Sequence, residues 1–130
     1  MKKIFAFLLC IFFAVPAAVS AHSPSDAEFK YIEDKKMLKI TIEHKVKNEN
    51  SHYVENIKVK LNGKKIITQK TSVQTDKENQ KIAYIIPDIK EGDEVELSAG
   101  CSIMGRKSFK YTVETVKENA GKKEEKKPGR

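Results

Sequence analysis

The 130-residue chain has no tryptophan, six glycines, four prolines, three histidines and two cysteines. Each shortage excludes something. No Gly-rich phosphate loop is present, and no Ser/His/Asp grouping stands out for nucleophilic catalysis. Without tryptophan, the Cys-Trp-Cys hallmark of antibody-like sandwiches is absent. No long apolar run follows residue 21, so no second segment is suited to cross a membrane as a helix. No segment carries a helical period of apolar residues.

The N-terminus is read as a secretory signal peptide over residues 1–21. Lys2 and Lys3 form a positive start, Ile4 to Ala14 is apolar apart from Cys10, and Pro16 breaks the run. Val19-Ser20-Ala21 supplies small residues before a cut, so the working chain is expected to begin at His22. A lipid-anchored reading through Cys10 is disfavoured because the apolar run continues to Phe13. The expected destination is outside the cytoplasm, periplasmic or secreted. The leader holds two lysines and no acid, so residues 22–130 carry 23 basic and 18 acidic side chains, a net of +5. These charges are interspersed along strand-like segments. A nucleic-acid interface would concentrate them on one face with aromatic platforms, so no nucleic-acid partner is expected.

The body reads as strands. Leu38, Ile40, Ile42 and His44 alternate with Lys39, Thr41 and Glu43. Tyr53, Ile57, Val59 and Leu61 are expected inward, with Asn56, Lys58 and Lys60 outward. Asn62-Gly63 then separates two such runs, a strong hairpin signal because both turn residues must take positive φ. Shorter strands are expected at Glu28 to Glu33, Lys64 to Thr71 and Lys81 to Ile86, with a polar loop over Ser72 to Gln80. Val95, Leu97, Ala99 and Cys101 share a face, as do Phe109, Tyr111 and Val113 on a strand over Lys107 to Val116. Seven strands at this spacing predict an all-β fold, a seven-stranded immunoglobulin-like β-sandwich over residues 22–117. Residues 118–130 are a Lys/Glu-rich tail, too polar to bury anything.

Once the leader is removed, Cys101 is the only cysteine, which excludes an internal disulfide framework. It is then a buried thiol, a metal ligand or an intermolecular disulfide partner. An idle free thiol is a liability in an exporting compartment, which favours the ligand reading. His44 ends one strand and His52 opens the next, eight residues on. Cys101 ends a later strand, Met104 follows three residues on, and His22 heads the working chain. Strand ends joined by loops can bring such residues to one end of a sandwich. Taken singly, each has a plain alternative: a satisfied core histidine, a small buried hydrophobe, a loop methionine.

The segments His22-Ser23-Pro24, His44, His52-Tyr53-Val54-Glu55-Asn56-Ile57, Leu61-Asn62-Gly63-Lys64 and Cys101-Ser102-Ile103-Met104-Gly105 together resemble the iron-binding domain of desulfoferrodoxin and neelaredoxin, the superoxide reductases. That family's motifs run His-x-Pro, His-Pro followed by His-Tyr-Ile, and Cys-Asn-x-His-Gly. The resemblance spans about His22 to Val116. It implies a mononuclear ferrous centre with imidazoles from His22, His44 and His52 and an axial thiolate from Cys101. Met104 stands where the family has its fourth histidine, and Lys45 where it has proline. The family's lysine ahead of the first histidine is replaced by Ala21, so Lys45 and Lys47 are the candidates to attract an anionic substrate. The implied activity is one-electron reduction of superoxide to hydrogen peroxide. Thioether and thiolate together also suit copper, as does a free amine on His22.

A second resemblance supports a different class. His52 to Lys64 and Lys90-Glu91-Gly92-Asp93-Glu94-Val95 are similar to the sandwich subunit of the periplasmic thiosulfate-oxidation carrier. That reading implies a binding module with no metal. The Cys101-Ser102-Ile103-Met104-Gly105 stretch fits the reductase family better, so a metal-binding sandwich ranks first, with iron ahead of copper. No electron donor is identifiable from sequence, and a homo-oligomer stays open.

Overall fold

The computed structural model describes residues 22–115. The expected leader at 1–21 and the tail at 118–130 lie outside them. Among the described residues seven strands are present: β1 (Asp26–Ile32), β2 (Met37–Glu43), β3 (Val54–Leu61), β4 (Lys64–Lys70), β5 (Asn79–Ile85), β6 (Glu94–Cys101) and β7 (Arg106–Thr112). A 3-10 turn, Glu33–Lys35, joins β1 to β2 and ends at Lys36 in the left-handed region (φ 50°). No helix among the described residues is long and apolar enough to cross a membrane.

The strands form two antiparallel sheets, β1-β2-β5 and β4-β3-β6-β7. The chain crosses between sheets after β2, β4 and β5, which makes a seven-stranded β-sandwich. Period-two alternation decides the layers, because successive side chains of a strand point to opposite faces. Leu38, Ile40 and Ile42 meet Ile57, Val59, Val95 and Leu97 between the sheets, all essentially inaccessible. Burying each such aliphatic side chain stabilises the fold by about 1.5–3 kcal/mol. The lysines between them stay on the solvent faces.

The hairpin forms as expected. Leu61 pairs with Lys64 across a two-residue turn in which Asn62 (φ 48°) and Gly63 (φ 82°) are both left-handed. Asn62 also ties this hairpin to the β5–β6 connection: its side-chain N–H donates to Asp93 at 3.1 Å, and its side-chain oxygen accepts from the Glu94 N–H at 2.9 Å.

The structure differs from the alternation at the start of β3. Val54 is fully buried there, whereas Tyr53 is only partly so. The register of β3 against β6 shifts between Val54 and Asn56, a bulge that resets which residues face inward. β7 ends at Thr112, short of Val116, and β5 begins at Asn79, inside the expected polar loop.

Register also shows where the strand ends lie. Asp26 pairs with Glu43, Glu43 with Asn79, Asn56 with Lys70, Val54 with Cys101 and Gly100 with Arg106. The start of β1, the end of β2 and the starts of β3 and β5 therefore share one end of the sandwich with the ends of β4 and β6 and the start of β7.

Candidate metal centre

His44 continues the buried face of Leu38, Ile40 and Ile42 one residue past β2. Its N–H donates to the Glu78 carbonyl at 2.8 Å, which prolongs the β2–β5 pairing, and its ring is inaccessible to solvent. The ring lies between two oxygens: Nδ1 is 2.9 Å from Oε1 of Gln74, and Nε2 is 3.1 Å from the His22 carbonyl. Gln74 is itself buried. Its amide N–H groups donate to the carbonyls of His44 (2.7 Å) and Asp76 (2.9 Å), and its Oε1 also accepts from the Val54 N–H at 3.3 Å.

His52 sits at the end of the loop between β2 and β3, with its N–H on the Asn48 carbonyl at 3.0 Å. Burial holds its imidazole below the ordinary value of 6.5, and the neighbouring rings of His44 and then His22 push the same way. It is therefore neutral near pH 7, the form that ligates metal.

Cys101 closes β6 with 8% of its surface exposed. Its N–H donates to the Gly105 carbonyl at 2.8 Å, and the N–H of Ile103 points to its sulfur at 3.4 Å. Ser102 fixes the strand end against β3: its N–H donates to the Tyr53 carbonyl at 2.8 Å and its hydroxyl accepts from the Tyr53 N–H at 3.1 Å. These contacts leave Sγ 3.0 Å from Nε2 of His52.

The strap from His22 to Ser25 crosses this end. Ser25 donates its N–H to the Glu43 carbonyl at 2.9 Å and accepts from Lys107 Nζ at 2.8 Å, while Pro24 is buried. The His22 ring centre lies 4.9 Å from that of His44 and 5.4 Å from that of His52, and the latter two are 4.8 Å apart.

One ligand atom each from His44, His52 and Cys101 lies within 4.8 Å of the others. Metal–nitrogen and metal–sulfur bonds of about 2.1 and 2.3 Å put ligands at a right angle about 3.1 Å apart and opposed ligands about 4.4 Å apart. The His52–Cys101 separation already matches an adjacent pair, and the widest separation needs a closure of a few tenths of an ångström. Donors of this type, two imidazoles and a thiolate, suit a transition metal rather than magnesium or calcium.

The other sequence-predicted residues fall as follows. His22 is beside the three, with its ring against both histidines. Met104 is 70% exposed. Lys45 and Lys47 are exposed on the loop between His44 and His52. Gln74 was not legible in the sequence. It lies in a polar stretch with no motif, and only the packing of the 71–78 loop on His44 gives it a role. Comparison with protein-family models and with curated proteins returns no match.

Proposed function

We propose that this chain is an exported metal-binding sandwich protein that holds one mononuclear transition-metal ion, iron in the first instance. His44, His52 and Cys101 are the ligands, and His22 supplies a further imidazole. The observation that carries the reading is the convergence of the three ligand atoms within 4.8 Å from the ends of different strands. Neutral His52 and the sulfur-directed N–H of Ile103 favour the same reading, since a thiolate is stabilised by such donors.

The resemblance to the superoxide reductases supplies the reaction. His22, His44, His52 and Cys101 would hold a ferrous ion, which would supply one electron for the reaction. Superoxide would be reduced by that electron, with two protons, to hydrogen peroxide, and an external one-electron donor would restore the reduced state. Cys101 would raise electron density at a bound metal, as thiolates do in other iron sites. Lys45 and Lys47 raise the local concentration of an anionic substrate.

Copper is the second reading, and one observation favours it. With Met104 turned largely to solvent, two imidazoles and a thiolate lie beside a main-chain oxygen, that of His22, a donor set used by blue-copper sites.

The test is elemental analysis with an electronic spectrum of protein purified anaerobically from the exporting compartment. Equimolar iron with a thiolate-to-ferric band on oxidation supports the first reading and warrants a superoxide assay. Equimolar copper supports the second. Protein that takes up neither metal, even on reconstitution, refutes both and leaves a binding module.

A further inference from the structure

We infer that Gln74 is a positioning residue that selects the Nδ1–H tautomer of His44 and so presents an unprotonated Nε2 to the metal. The inference rests on the metal-site reading above.

The argument is a count of donors and acceptors. Both N–H bonds of the Gln74 amide are taken by carbonyls, those of His44 and Asp76, at 2.7 and 2.9 Å. The amide cannot turn over without putting its oxygen against both. Oε1 is therefore the atom that meets His44 Nδ1 at 2.9 Å, and the Val54 N–H at 3.3 Å confirms its acceptor role. An acceptor there requires Nδ1 to donate. A neutral imidazole has one N–H, so Nε2 is left with its lone pair.

That lone pair faces another acceptor, the His22 carbonyl at 3.1 Å. Two lone pairs so opposed repel unless a second proton lies between them or a metal ion lies beside both, and two adjacent ligands at about 2.1 Å from one metal stand about 3 Å apart. The competing tautomer would place the proton on Nε2, donate it to the His22 carbonyl and block the ligand atom. Gln74 thus decides between a structural hydrogen bond that closes the site and a lone pair that opens it. Its N–H also donates to the Glu49 carbonyl at 3.1 Å, so the same residue ties the 71–78 loop to the loop carrying His52.

The discriminating pair of variants is Gln74→Met and Gln74→Glu. Both lose the donations to the two carbonyls, so both lose stability. Only Gln74→Met also loses the acceptor facing Nδ1. Two-bond nitrogen–proton NMR correlation of the metal-free protein in mildly alkaline buffer reports the tautomer directly. His44 should be Nδ1–H in the wild type and in Gln74→Glu, and should shift to Nε2–H in Gln74→Met. Cobalt(II) titration, followed by the thiolate charge-transfer band, should show binding weakened roughly 10–100-fold in Gln74→Met and restored in Gln74→Glu. An Nε2–H wild type, or equal weakening in both variants, overturns the inference and leaves Gln74 a loop tie. If Gln74→Met does not fold, the wild-type and Gln74→Glu tautomers still decide. Failure of the wild type to bind cobalt sinks the metal reading instead, and the tautomer measurement judges Gln74 apart from it.

Discussion

Replacing Gly105 by alanine should separate the strap that carries His22 from the rest of the fold. Gly105 lies between β6 and β7 with φ at 101°, and a Cβ added there would sit 2.7 Å from the Ser23 hydroxyl and 2.9 Å from the Ser23 main-chain nitrogen. The hydroxyl can rotate away. The nitrogen cannot, so the strap itself must move, and His22 is the next residue. Two internal controls carry the backbone cost without the collision: Gly63 (φ 82°) and Gly92 (φ 87°) have no atom within 4 Å of the added Cβ. An alanine forced into positive φ costs about 1–3 kcal/mol at each of the three sites. In a domain of this size each kcal/mol lowers the melting temperature by about 4–8 °C. Calorimetry should therefore show all three variants destabilised. Cobalt(II) titration should show weakened binding in Gly105→Ala alone, because only there are the His22 ring and carbonyl displaced from His44. A Gly105→Ala variant that binds cobalt as Gly63→Ala and Gly92→Ala do would refute the argument that the strap completes the site.

Three further outcomes follow from the same geometry. Cys101→Ser and His52→Ala should each abolish uptake of iron or cobalt, measured by elemental analysis after desalting, whereas Met104→Leu should leave it unchanged because that side chain is 70% exposed. In the metal-free protein, His52 has its folded-state value lowered from 6.5, so the unfolded chain binds that proton more tightly. Its contribution to stability is then complete above that value and is lost as pH falls below it, and His52→Gln should flatten this slope in urea midpoints. Asp93→Ala removes the carboxylate that accepts from Asn62 (3.1 Å) and from the Lys90 N–H (3.0 Å), and should cost about 1–3 kcal/mol by urea denaturation. The Asn62 bond chiefly holds the Asp93 carboxyl below 3.8, so its contribution is present above that pH and fades in stronger acid.

The sequence by itself determined the layers of the sandwich. Alternation of period two places Leu38, Ile40, Ile42 and His44 on one face whatever their partners, because the strand geometry is local. The Asn62-Gly63 turn was equally local, since few residue pairs tolerate two left-handed conformations in succession. Chemistry was legible as far as residue type: His22, His44, His52 and Cys101, each near a strand end, belong to residue types scarce enough in this chain to be noticed. The bulge at Val54 was not legible, because it is a property of β3 pairing with β6 and not of β3 alone. Tertiary structure alone decided which donors meet. Cys101 and His52 come within 3.0 Å only through the pairing of β3 with β6. Met104, close to Cys101 in sequence, turns to solvent on the following loop. Gln74 reaches His44 across 30 positions of chain, a contact that no spacing rule could anticipate. A ligand set is a convergence of side chains in space, and sequence fixes their chemistry long before it fixes their distances.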